Sequence, residues 1–363
     1  MLRLVAISFS ICLNTLLMGQ EKTIKLRIIQ TSDVHGCFFP YDFIERKPAK
    51  GSLARVSTYI KDLRKTYGAN LILMDNGDIL QGQPTCYYCN YVKPELPNVA
   101  ASVINYMGYD VQTIGNHDIE TGHNVYDKWI KEVKCPMLAA NIISKDTEKP
   151  YLNPYHIINR DGIKIAIIGM ITPAIPNWLN EKLWEGMSFQ EMKECALYWT
   201  TYLKKQENPD IIIGLFHSGA EGGIITDEYE EDASLRIAKE VPGFDLILYG
   251  HDHKKHIETI KNKDGHDVLC MDPSSNAYFI CDAEIDVTIN NGQIINKQIK
   301  GSLKDVRNLP VDTAFMEYFK DEIDSINNYV NKKIGTFKNS IYTSDRSEEH
   351  TSELQSPPDR VFR

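Results

Sequence analysis

The chain has 363 residues, 42% hydrophobic and 25% charged, with a formal net charge of −9. This is ordinary globular composition with enough apolar residues for a sizeable core, and it excludes a low-complexity or disordered chain. The acidic balance argues against a nucleic acid polymer drawn in by the overall field, although bound cations can still make one local site attractive to anions.

The N-terminus carries Arg3, then an apolar run from Leu4 to Met18, then Gly19. This pattern predicts a secretory signal peptide over residues 1–19 and a periplasmic or secreted protein. No later run of about 18 apolar residues occurs, so no membrane span is expected. Beyond Cys12 lie Cys37, Cys86, Cys89, Cys135, Cys195, Cys270 and Cys281. An odd set argues against a complete disulfide framework. Cys86-Tyr87-Tyr88-Cys89 has no second CxxC to complete a zinc knuckle, so these cysteines read as packed side chains.

Strands and helices then alternate. A strand is predicted over Lys25–Thr31, and apolar residues at Leu53, Val56, Ile60 and Leu63 predict a helix over Ser52–Tyr67. A strand at Asn70–Met74, a helix at Pro97–Met107, a strand at Val111–Ile114 and a helix at Val125–Lys134 follow. Pro136–Ala140, Tyr155–Asn159 and Lys164–Gly169 read as strands, the last two joined across Arg160-Asp161-Gly162. Next come a helix at Phe189–Lys205, a strand at Ile211–Phe216, a helix at Asp232–Glu240 and a strand at Asp245–Tyr249. Short strands are expected at Val268–Met271, Tyr278–Cys281 and Glu284–Thr288, with Asn290-Asn291-Gly292 as a turn. Asp312–Lys333 reads as one long polar helix with Phe315, Phe319, Ile323, Ile326 and Val330 on a stripe. Residues 346–356 have no periodicity and resemble the translation of a sequencing-adapter oligonucleotide. The tail 344–363 is therefore expected to be disordered and non-native, and is left out of the fold.

Five apolar runs share one design: each ends in groups able to bind metal or carry a proton. The first runs into Asp33-Val34-His35, the second into Gly77-Asp78 and the third into Gly115-Asn116-His117-Asp118. The fourth ends at His217 and the fifth runs into Gly250-His251-Asp252-His253. In α/β proteins, ligands gather at the carboxyl ends of strands, so five strand ends are expected to face one crevice. Asp33 and His35, and again His251 and His253, are two apart, a spacing that puts both side chains on one face of an extended backbone. Asp78 offers a carboxylate able to bridge two ions, Asn116 a neutral carbonyl oxygen, and His217 another imidazole. This mixture of nitrogen and oxygen donors suits Zn, Mn, Fe or Co rather than calcium. Two divalent ions against the charges of Asp33 and Asp78 leave the centre electropositive, as a phosphate ester requires.

In that order, the DxH, GD, GNHD, HxG and GHxH blocks resemble the calcineurin-like metallophosphoesterase superfamily. More narrowly, they resemble the N-terminal catalytic domain of secreted 5′-nucleotidase/2′,3′-cyclic-nucleotide 2′-phosphodiesterase proteins. Asp75 to Pro84 looks closer to the cyclic phosphodiesterase branch. The resemblance runs from about Ile24 to Lys338. It implies an α/β fold, a four-layer αββα sandwich over 24–308, followed by a long linker helix and the start of a C-terminal nucleotidase domain over 309–343. It also implies two divalent metal ions. Asp33, His35 and His253 would hold the first, Asn116, His217 and His251 the second, and Asp78 would bridge. His117 would act on the leaving oxygen, with Asn116 and His117 contacting substrate and a metal-bound hydroxide attacking phosphorus. Relatives place Asp or Asn three residues after the catalytic His. Glu120 stands there in this chain, so Glu120 or Asp118 would orient His117.

The expected activity is hydrolysis of nucleotide phosphate esters by a monomer. Two alternatives stand beside it: a phosphatase for non-nucleotide esters, and a metal-binding fragment inactive without its C-terminal domain.

Overall fold

Strand-forming runs in this chain alternate in what they bury. A computed structural model describes residues 21–335, and the expected signal peptide and tail lie outside them. One six-stranded sheet has the spatial order Gln293–Asp305, Phe279–Asn290, Lys22–Thr31, Leu71–Asp75, Val111–Thr113 and Met137–Leu138. The second runs Lys255–Lys261, Asp267–Pro273, Leu246–Tyr249, Ile211–His217, Ile163–Ile171 and Tyr155–Arg160. Each sheet has four parallel strands, with antiparallel strands at one or both edges.

The two-residue period assigns side chains to layers. Ile211, Ile213, Leu215, Leu246 and Leu248 join Leu26, Ile28 and Ile72 between the sheets. Their sequence neighbours Ile212, Phe216, Ile247 and Tyr249 turn outward to helices Met192–Gln206 and Ser234–Glu240. Ile29 and Leu73 turn the other way, onto helices Leu53–Tyr67, Val99–Met107 and His123–Glu132. Strands apolar on both faces need helices on both sides, and the result is four layers, αββα.

Several expectations are corrected. Tyr278–Cys281 and Glu284–Thr288 are parts of one strand, Phe279–Asn290. The helix expected from Phe189 starts at Met192, because Met187–Phe189 pairs with Ile142–Ser144. The helix expected from Asp232 starts at Ser234, since Glu230–Asp232 pairs with Gly222–Ile225. Two edge strands, Lys255–Lys261 and Gln293–Asp305, had no counterpart in the sequence pattern. Their exposed positions mix Lys, Gln, Asn and Thr with Ile257 and Ile295, which masks the apolar alternation.

The long helix expected over Asp312–Lys333 is two helices, Thr313–Tyr318 and Lys320–Val330, broken at Phe319 (φ −100°, ψ 19°). Phe315, Phe319 and Ile326 are fully buried, with the Phe319 ring against Phe39, Tyr106 and Phe315. Asp312 caps the first helix through Ala314 and Phe315 N–H and also accepts from Ser57 Oγ at 2.6 Å. Aromatic burial outweighs helical continuity here, so the segment to Val330 is docked on the helical layer.

The carboxyl end of Leu71–Asp75 supports a prediction. Asp75 is fully buried; burial raises its pKa to about 7, against hydrogen bonds from Thr31, Gln112 and the Gly77 N–H. A carboxyl raised in the folded state contributes stability that is full below its unfolded pKa of about 4 and is lost as pH rises through the folded value. Asp75→Asn, which cannot ionise, is expected to gain on wild type by a few kcal/mol between about pH 4 and pH 8, at roughly 1.4 kcal/mol per unit. Urea unfolding of both proteins in chelator at the two pH values checks this. A pH-independent difference would refute it.

Candidate metal centre

Five strand ends converge as expected, but the local geometry differs from the extended one assumed. Asp33, His35, Asp78, His251 and His253 all have left-handed backbones, with φ of 50°, 49°, 54°, 85° and 56°. Such conformations cost about 1–3 kcal/mol each in non-glycine residues and persist where surrounding structure fixes them. Tight turns just past each strand, not an extended DxH or HxH, therefore aim these side chains. One close approach requires glycine. A Cβ at Gly115 would lie 2.1 Å from Asp78 Oδ1.

Asp33, His35, Asp78 and His253 place one potential donor atom each within 4.8 Å of one another. His35 Nε2 faces His253 Nε2 at 3.0 Å, and His253 Nε2 lies 3.4 Å from Asp33 Oδ1. His217 adjoins this group, with Nε2 3.3 Å from Asp78 Oδ2 and 3.0 Å from Asn116 Oδ1. The other nitrogen of His217, Nδ1, meets the Asn76 carbonyl at 2.7 Å, which turns Nε2 inward. His251 is placed differently. Its ring lies 5.3 Å from that of His217, while its Nε2 meets Glu231 Oε1 at 3.1 Å.

The two carboxylates carry the case for cations. Asp33 Oδ2 accepts from Ser32 Oγ and from the His251 N–H, yet Asp33 Oδ1 is buried without a hydrogen bond. Asp78 Oδ1 accepts from the His117 N–H at 2.8 Å, yet Asp78 Oδ2 is buried without one. Burying a carboxylate oxygen with no partner is costly unless a cation compensates. Burial opposes charge on both groups, but neighbouring histidines outweigh it and hold both below the ordinary carboxylate range, led by His217. Burial also lowers the His217 pKa, while Asp78 and Asp33 raise it to about 10; a bound cation would take that proton's place. Two anchored carboxylates, each with one oxygen free of hydrogen bonds, beside imidazoles and an amide oxygen fit divalent metal.

His117 stands at the rim, with its ring 5.5 Å from that of His35. Its Nδ1 meets Glu120 Oε2 at 2.7 Å. Burial lowers the His117 pKa, but Asp78 and the Glu120 hydrogen bond outweigh that and raise it to about 9. The alternative in which Asp118 orients His117 is corrected. Asp118 is fully buried and its oxygens accept from the Gly115, Asp78, Ile79 and Leu80 N–H groups. It fastens the loop carrying Asp78 to the loop carrying Asn116 and His117. Sequence reasoning also missed Glu231; the available signal was an acidic run, Glu230-Glu231-Asp232, at the start of a predicted helix.

Cys86 and Cys89 are buried free thiols. Among the described residues, no helix is long and apolar enough to cross a membrane.

The family described as calcineurin-like phosphoesterase matches residues 26–255. A Haemophilus influenzae protein named 2′,3′-cyclic-nucleotide 2′-phosphodiesterase/3′-nucleotidase is 30% identical over 256 residues, 66% of this chain and 38% of that protein. A Vibrio cholerae 5′-nucleotidase is 33% identical over 240 residues, 64% of this chain and 40% of that protein. The crystal structure of calcineurin-like phosphoesterase YfkN from Bacillus subtilis superimposes with a TM-score of 0.75 at 25% identity, covering 86% of this chain and all of that one. The chain spans about two fifths of the length of the curated relatives it matches.

Proposed function

The chain belongs to the calcineurin-like phosphoesterase family, and from that membership we propose that it hydrolyses phosphate esters of nucleotides with two divalent cations. The carrying observation is the pair of buried carboxylate oxygens, Asp33 Oδ1 and Asp78 Oδ2, that accept no hydrogen bond and face a nest of imidazoles. Asp33, His35 and His253 would hold one cation, Asn116, His217 and His251 the other, and Asp78 would serve both. When bound, such a pair supplies Lewis-acid stabilisation of charge on phosphoryl oxygens and eases deprotonation of water.

The chain's own residues do the rest. His117 donates a proton from Nε2 to the leaving oxygen, and Glu120 holds the opposite nitrogen and stabilises the charged ring. Asn116 and His117 contact the phosphoryl group as charge develops on it. Relatives named 5′-nucleotidase and 2′,3′-cyclic-nucleotide 2′-phosphodiesterase support nucleotide monoesters, cyclic diesters, or both as substrates. The same proposal makes residues 24–308 the catalytic domain of a monomeric protein, secreted or periplasmic, with residues 1–19 as its signal and 309–343 leading to a C-terminal nucleotidase domain.

One fact favours a second reading. Relatives are more than twice as long as the matched segment, so this chain alone could be a metal-loaded module without turnover. A chromogenic monoester and diester, offered with Mn²⁺ and then with chelator, separate the readings. Metal-dependent release, greater for nucleotide than for sugar or peptide phosphates, is the expected result. No release with any divalent metal would favour the inactive module.

A further inference from the structure

His251 is the one proposed ligand whose ring is held by an acidic side chain from outside the metal-binding blocks. Its Nε2 lies 3.1 Å from Glu231 Oε1. Asp232 Oδ1 is 3.9 Å from the same nitrogen and instead accepts from the Gly219 N–H at 2.7 Å. The His251 ring packs against His217 at 5.3 Å and Trp178 at 5.6 Å. The Glu231 and His251 side chains are 13% and 12% exposed, so water competes weakly for their hydrogen bond.

The hairpin of Gly222–Ile225 and Glu230–Asp232 fixes Glu231 in turn. Glu231 Oε2 accepts from the Ile224 N–H at 2.7 Å, and the Glu231 carbonyl accepts from Ser218 Oγ at 2.8 Å, next to His217. Gly223 has φ +66°, and a Cβ there would lie 2.6 Å from the Glu231 carboxylate. The turn thus wraps around this side chain.

We propose that Glu231 is a positioning residue for the second cation, acting through His251; this rests on the two-cation reading above. An imidazole that donates Nε2–H to a carboxylate has its lone pair on Nδ1, so Glu231 selects the tautomer able to ligate. The residues that would hold the first cation meet this arm through the His251 backbone, whose N–H donates to Asp33 Oδ2 and does not depend on the ring.

The test compares metal-free wild type, Glu231→Ala and Glu231→Gln, titrated with Co²⁺. Ions per chain are counted by mass spectrometry, and the visible absorption of each bound cobalt is followed. Wild type takes two ions. In Glu231→Ala the first ion binds as in wild type and the second about 10–100-fold more weakly, with its spectrum changed. Glu231→Gln, which keeps an acceptor without the charge, falls between. Wild-type affinity for both ions in Glu231→Ala overturns the inference, as does equal weakening of both. A third ion in wild type, lost alone in Glu231→Ala, also overturns it, because Glu231, Asp232 and His251 would then be a separate cation site. Wild type that binds no pair overturns the two-cation reading itself. Should metal-free Glu231→Ala fail to fold by circular dichroism, Glu231→Gln decides alone.

Discussion

Replacing His117 with alanine is expected to lower turnover by about 100-fold or more while leaving two ions per chain, as suits loss of a general acid. His117 is positioned by the Glu120 carboxylate and belongs to neither cluster of donor atoms. Its hydrogen bond toward the metal site is through its backbone, whose N–H donates to Asp78 Oδ1. Alanine keeps that N–H, so Asp78 keeps its orientation. Elemental analysis beside steady-state kinetics checks both halves. Unchanged turnover would remove His117 from the chemistry, and loss of metal would make it structural. Glu120→Gln should cost less than His117→Ala, since the imidazole remains and loses its charged partner alone.

Replacing Asp118 with alanine is expected to be the most destabilising single change near the site. Four backbone N–H groups, from Gly115, Asp78, Ile79 and Leu80, converge on its two oxygens in a fully buried position. Alanine would strand all four. Each buried unsatisfied donor costs about 1–3 kcal/mol, and the terms are not additive, so a loss of at least about 3 kcal/mol is expected. Against a total of roughly 5–15 kcal/mol for a folded domain, that is a large fraction. The two loops would also part, taking Asp78 and Asn116 out of register, so metal retention should fall with stability. Urea unfolding and ion counting are the measurements. A wild-type midpoint with both ions kept would show that these loops hold without Asp118.

The comparison of Asp118 with Glu120 marks the limit of what spacing can decide. Sequence placed both near His117 and left the choice open. Glu120 lies one helical turn on, within reach of the ring, but only the fold reveals that Asp118 points the other way. Glu231 was invisible for a related reason: it lies twenty residues from His251 on a hairpin whose alternation is hidden by glycine and charge.

From the sequence came the alternation of strands and helices and the candidate donor set, while the four-layer order was what the family resemblance implied. Runs such as Ile211–Phe216, apolar at every position, require cover on both faces, and a polar group directly after such a run must lie at a sheet's carboxyl edge. Those are local consequences of a two-residue period. Tertiary structure decided which oxygen of each carboxylate is anchored and which is bare, why Phe319 breaks a helix, and which acid serves which histidine. Each depends on neighbours distant in the chain, and a side chain's own spacing holds no record of the neighbours it will meet.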